Sequence, residues 1–329
     1  MPEGHTLHRL ALTLDRAFAG RPVRVSSPQG RFTEGAALLD GLVVERAEAW
    51  GKHLFVTFEG ERILNVHLGL IGVFDVTRYL VRGVTDTDPV SVTPRTTLGD
   101  AGVPPPVGAV RVRLVNDEWV GDLRGATVVE LITPEKLDAT VTRLGPDPLR
   151  AGEPGHDTAR SLAKLARTER PVAELLMDQS VLAGVGNVYR SELLWKHRVD
   201  PFTPGRLVKK RTWQTIWDDL VHLMPIGVAF GQIITLDEQA EAARAFLAEH
   251  AGAGDTAYLV DWQGGTEGER GRVPAGQRRP AYEKVSPFPR EYAVYKRQGE
   301  PCPSCGSRIR TQVLAGRNLF WCGRCQRRH

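Results

Sequence analysis

All four cysteines of this 329-residue chain fall between positions 302 and 325, paired as Cys302-Pro303-Ser304-Cys305 and Cys322-Gly323-Arg324-Cys325 with sixteen residues between the pairs. A C-x2-C pair on a tight turn aims two sulfurs at one point, and two such pairs complete a tetrahedral thiolate set. Residues 309–313 and 318–321 read as the two strands of a hairpin between them. Four thiolates leave no open coordination position. The spacing therefore predicts a C-terminal zinc ribbon holding one structural Zn2+, and it fixes architecture rather than activity.

The remainder is too long for one compact core, so two domains are expected ahead of the ribbon. Apolar residues make up 41% and charged residues 25%, an ordinary globular balance. No apolar run of about 18 residues and no basic-then-apolar leader occurs, so neither a membrane span nor export is expected and the location reads as cytoplasmic. Residues 5–18, with Leu7, Leu10, Leu12 and Leu14, have a helical period. From 23 to 133 the pattern changes to short runs, at 23–25, 42–44, 54–58, 63–68, 110–114 and 126–131. Strands at that spacing suggest an antiparallel sandwich or barrel-like domain. The Pro- and Thr-rich residues 83–106 read as a long loop. Leu144-Gly145-Pro146-Asp147-Pro148-Leu149 breaks the composition and reads as a linker. Helical patterns follow at 159–167, 171–178, 187–197, 211–223 and 228–250, and 251–290 reads as a flexible insertion. The expected division is thus 1–143, a linker at 144–155, a helical domain at 156–250, the insertion at 251–290, and the ribbon at 291–329.

Two further stretches carry chemistry. Removal of Met1 would leave Pro2 as a free secondary amine beside Glu3. An α-amino group titrates near ~8 against ~10.4 for lysine, so it is far more often the neutral nucleophile at pH 7. A secondary amine condenses with a carbonyl carbon to an iminium, and Glu3 could give or take the proton. A loose terminus is the plain alternative, and small tautomerases use such a proline as a base. The second stretch runs from Leu176 to Tyr189 through Leu182-Ala183-Gly184-Val185-Gly186-Asn187. Its glycines admit close backbone approach, and amides opening the next helix, with the Asn187 side chain, make an anion site. A simple helix-helix turn would read the same way. The formal net charge of +4 permits a polyanionic partner. From Arg308 to Arg328 the tail carries six arginines and no acid, a field suited to phosphate or merely a solvated tail.

Taken in order, Pro2-Glu3-Gly4, Gly51-Lys52 before a strand, His67-Leu68-Gly69-Leu70-Ile71-Gly72, the Leu-Gly-Pro linker, the Leu176 to Tyr189 run and Arg317-Asn318-Leu319-Phe320-Trp321-Cys322 resemble the formamidopyrimidine-DNA glycosylase and endonuclease VIII family. The resemblance spans the chain. It implies an α+β multidomain fold: an N-terminal antiparallel β-sandwich with a flanking helix, a helix-two-turns-helix domain, and the ribbon. It implies a bifunctional DNA glycosylase and abasic-site lyase of base-excision repair, with no organic cofactor. Pro2 would attack C1′ of an extruded nucleotide, Glu3 would shuttle the proton, Lys52 would contact phosphate and donate in β-elimination, and Arg317 would serve δ-elimination. Asn187, with Gly186 and Tyr189 of the same run, would hold DNA.

Leu70 matches an apolar wedge that fills the space of the flipped base, although a leucine between glycines also suits a core. His67 fits a phosphate contact or a core histidine equally. Arg124, in Gly121-Asp122-Leu123-Arg124-Gly125, resembles an arginine probing the opposite strand, but the aromatic wedge that follows it in the family is absent. The family start Pro-Glu-x-Pro-Glu is replaced here by His5-Thr6, which removes a second carboxylate. Gly4 leans toward endonuclease VIII and hence oxidised pyrimidines. Oxidised-purine specificity, or a DNA-lesion-binding protein of weak catalysis, are the alternatives. The expected partner is duplex DNA with a damaged base or abasic site, or single-stranded or bubble DNA, bound by a monomer in the nucleoid.

Overall fold

The computed structural model describes residues 2–79, 103–250 and 286–327. The loop expected over 83–106 and the insertion over 251–290 lie almost wholly outside those residues.

The chain opens with helix α1, Gly4–Phe18. Strand β1 (Arg24–Ser26) and helix α2 (Thr33–Leu39) lead to β2 (Val44–Trp50), β3 (His53–Phe58), β4 (Arg62–His67) and β5 (Val73–Arg78). Then come β6 (Val110–Val115), β7 (Trp119–Arg124), β8 (Val128–Ile132) and helix α3 (Pro134–Arg143). The strands form two open antiparallel sheets, ordered β2-β3-β4-β8 and β1-β6-β7-β5. Inward Leu54, Val56, Leu64 and Val66 of one sheet share a core with Phe74, Val112, Leu114 and Leu123 of the other. Leu7, Leu10, Leu14 and Phe18 of α1 complete that core. Their spacing of three and four residues puts them on one helical face.

The opposite side of α1 is buried as well. Arg9 donates from Nη1 to the carbonyls of Val228 and Ala229 at 2.9 and 2.7 Å. These belong to α7 (Lys210–Phe230), the long helix of the second domain. That domain also contains α4 (Ala159–Leu165), α5 (Val172–Leu175), α6 (Asn187–Lys196) and α8 (Asp237–His250). The helical run expected over 228–250 is thus divided: α7 continues to Phe230, Gly231 takes a left-handed φ of 64°, and α8 starts at Asp237. Glycine ends α7 because that conformation costs it nothing.

The expected linker is not a slack tether. Residues 144–148 are buried, the Gly145 amide donates to the Gln179 carbonyl at 2.8 Å, and that of Ala183 to the Pro146 carbonyl at 3.0 Å. The ribbon hairpin, β9 (Arg310–Leu314) and β10 (Arg317–Trp321), inserts Leu319 and Trp321 into the core of the helical domain. Among the described residues no helix is long and apolar enough to cross a membrane.

Candidate active site

The anion site expected at the glycine-rich turn exists, but the chain's own Glu3 fills it. Gly186 and Val188 donate their amides to Glu3 Oε2 and Oε1, both at 2.8 Å. A helix start leaves its first amides without internal partners. No local side chain caps α6, so a carboxylate from the far end of the sequence does so. Glu3 is fully buried, and the approach needs glycine: a Cβ on Gly186 would lie 2.4 Å from the Glu3 carboxyl carbon. Gly4 is equally constrained, since its Cβ would meet Gly184 Cα at 2.7 Å. Gly186, expected against DNA, gives its amide to Glu3. Burial raises the Glu3 pKa against the opposing pull of the Lys52 charge and of the α6 amides. A carboxyl so placed can hold a proton and release it.

Lys52 stands on the β2–β3 turn, whose Gly51 takes a φ of 59°. The Gly51 amide donates to Asp147 Oδ2 at 2.7 Å, and the same oxygen pairs with His8 Nε2 of α1 at 3.0 Å. One buried carboxylate of the former linker thus ties the Lys52 turn to the helix that carries Pro2 and Glu3. Burial lowers the Lys52 pKa, Glu3 opposes that shift, and Arg317 and Arg190 add to it. Lys52, Glu3, Arg190 and Arg317, from four separate elements, therefore share one electrostatic cluster, with half-buried Pro2 next to Glu3 in the chain.

Sequence reasoning missed Arg190. It lies one turn beyond Asn187 on α6, a spacing that shares one helical face, and is fully buried. Its Nη2 contacts Asn187 Oδ1, while Asn187 Nδ2 donates to the Asn318 carbonyl of β10 at 2.9 Å. The Tyr295 hydroxyl bonds the same amide group. Tyr189, expected at the DNA surface, is instead buried. Its ring meets that of His5 on α1 edge-on at 5.8 Å.

His67 is half-buried, and Nδ1 accepts the Gly69 amide at 3.1 Å. Burial, with His53 and Lys52 nearby, lowers its pKa to about 4, so it is neutral and carries its proton on Nε2. Leu70 and Ile71 project from the β4–β5 turn, 50% and 81% exposed; neither belongs to the core. Arg124 lies against Asp75 and 3.8 Å from Asp122. It is folded onto its own sheet rather than extended, because the two acids face each other across β5 and β7.

The four cysteine sulfurs lie within 4.8 Å of one another, against the roughly 3.8 Å edge of a tetrahedron with zinc-sulfur bonds of about 2.3 Å. The Trp195 indole donates to Cys302 Sγ at 3.4 Å, as the outer shell of a thiolate site does. The donor set fits structural zinc.

Sequence models of the formamidopyrimidine-DNA glycosylase N-terminal domain, its H2TH domain and the zinc finger found in FPG and IleRS match residues 1–124, 144–239 and 299–328. Endonuclease 8 1 of Mycobacterium tuberculosis is 42% identical over 99% of this chain and all of that protein. The chain belongs to the formamidopyrimidine-DNA glycosylase and endonuclease VIII family. Within that family, a formamidopyrimidine-DNA glycosylase of Laribacter hongkongensis is 28% identical over 99% of this chain and all of that protein. The family fold is that of Lactococcus lactis Fpg in complex with DNA containing an abasic site, at a TM-score of 0.67 and 16% identity over 99% of this chain and 100% of that one.

Proposed function

We propose that the protein excises oxidised pyrimidines from DNA and then cleaves the abasic strand, using Pro2 as nucleophile. The observation that carries this reading is the buried Glu3 carboxyl at the start of α6, next to Pro2 in the chain and within the field of Lys52 and Arg190. The neutral Pro2 amine attacks C1′ and the C1′–base bond breaks, the base leaving with the proton the amine gives up; Glu3 then protonates O4′ and the C1′–O4′ bond opens. The resulting iminium acidifies C2′; loss of that proton expels the 3′ phosphate, and a second elimination expels the 5′ phosphate. Lys52 supplies a proton in the first elimination and Arg317 holds the phosphate that departs in the second. Guanidinium forks match phosphate oxygens better than an ammonium does. Asn187 and the Nε2 of His67 hold backbone phosphates, and Leu70 with Ile71 fills the space of the extruded base. Pyrimidine preference is supported by Gly4 and by the 42% likeness to a protein named endonuclease 8. The cytoplasmic nucleoid is the corresponding site of action.

The test is borohydride trapping on duplexes carrying thymine glycol, 8-oxoguanine or a plain abasic site, with Pro2→Gly alongside. The expected result is a crosslink on thymine glycol that the variant loses. Crosslinks on the abasic site alone would reduce the protein to a lyase, and crosslinks on 8-oxoguanine in preference would move it to the purine branch.

A further inference from the structure

The proposed chemistry assigns no task to Arg190, yet the fold keeps its guanidinium fully buried with Nε and Nη1 lacking hydrogen-bond partners. Only Nη2 is engaged, by Asn187 Oδ1 and, at 3.4 Å, by the Asn318 carbonyl. Burying a charge with two of its donors idle is unfavourable, and packing alone would be served as well by an apolar side chain of similar length. What an apolar side chain cannot supply is the charge and the fork. Arg190 interacts electrostatically with Glu3, Arg317, Glu174 and Tyr295, and also with Lys52.

We propose that Arg190 is a positioning residue whose fork orients the Asn187 amide against the ribbon. Arg190 takes Asn187 Oδ1, which turns Nδ2 toward the Asn318 carbonyl at 2.9 Å, while Arg190 Nη2 itself reaches that carbonyl at 3.4 Å. The Tyr295 hydroxyl closes the same network. The start of α6 and the start of β10, at Arg317, are thereby held as one clamp.

This inference rests on the proposed lyase chemistry, and two variants test it. Arg190→Met removes charge and fork; Arg190→Lys keeps the charge and loses the fork. Affinity is measured on an uncleavable tetrahydrofuran duplex, and β-elimination on a preformed abasic duplex. Melting temperature and zinc content are followed for both variants. Both variants should bind the tetrahydrofuran duplex about tenfold more weakly, the order of one charge-assisted hydrogen bond. Affinity falling only as far as the melting temperature does would overturn the proposal and leave Arg190 a packing residue. Absence of any elimination by the wild type would instead refute the lyase reading, while the binding comparison would still judge the clamp.

Discussion

Two buried glutamates flank helix α6, and they make different use of the same physics. Glu3 lies over the start of the helix and accepts the Gly186 and Val188 amides. Glu192, within the helix, accepts the amides of Ala293, Val294 and Tyr295 at 2.7 to 2.9 Å and the Thr235 hydroxyl at 3.2 Å. Burial raises the pKa of both. Hydrogen bonds from neutral donors are the only influence opposing that shift at Glu192, whereas a lysine charge also acts on Glu3. Glu192 thus staples the segment that leads into the ribbon, and Glu3 sits among groups that can exchange protons with it. Burial and a perturbed carboxyl do not by themselves mark a catalytic site; what separates the two glutamates is the Lys52 charge beside Glu3.

The sharpest way to break this contrast is to neutralise each carboxyl. Glu3→Gln should reduce base release in single turnover by about 10²- to 10⁴-fold, the span of general acid catalysis. Glu192→Gln should release base at near the wild-type rate but lose about 2–3 kcal/mol in denaturant unfolding, since amide donors then face an amide nitrogen. Equal losses of base release in both variants would erase the distinction. Gly186→Ala is the next largest perturbation. The added methyl cannot coexist with the carboxyl where it now sits, so excision should fall nearly as far as in Glu3→Gln, with a melting temperature lowered as well. Full activity would show that Glu3 does not need the α6 amides.

Removing zinc with a chelator probes the ribbon side of the same contrast. Release of the metal should leave the β-sandwich folded by circular dichroism while abolishing tight DNA binding, because Arg317 and the Asn318 carbonyl are placed by the ribbon. Retained affinity would detach the ribbon from the clamp. The smallest effect is on stability against pH. Both glutamates have folded pKa values raised above 4.5, so the folded state binds more protons than the unfolded chain, and these groups lower stability as pH rises from about 4.5. Each Gln variant should flatten that slope in unfolding curves taken from pH 4.5 to 7, and an unchanged slope would contradict the shared burial effect.

The distribution of what the sequence reveals follows the same division. Glu3, Lys52 and the cysteines stand out in the sequence because the signal is local: a residue type beside a terminus, a turn glycine, or a partner at fixed spacing. Helix α3 was also legible and overlooked, since Thr133-Pro134-Glu135 carries a start signal and the Thr133 hydroxyl caps the Lys136 amide at 3.5 Å. The partners of Tyr189, Gly186 and Arg124 were not readable, for another reason. Which side of a helix faces α1, whose carboxylate takes an amide, and whether an arginine meets an acid on the adjacent strand depend on partners 49 to 185 positions away. Asp147 shows the same limit, because a Gly-Pro-rich stretch reads as a linker until its carboxylate meets Gly51 and His8. Arg190 had a readable spacing from Asn187, but nothing in sequence marks a buried arginine as short of partners.

The central claim is that the N-terminal proline, served by Glu3, is the nucleophile. Lys52 is the one rival, an amine with a lowered pKa in the same cluster. The direct measurement is mass spectrometry of the borohydride-reduced complex with an abasic duplex, after proteolysis and nuclease digestion. The account predicts the deoxyribose remnant on the N-terminal peptide beginning at Pro2, and no such adduct when Met1 is retained. A remnant on Lys52 would contradict it.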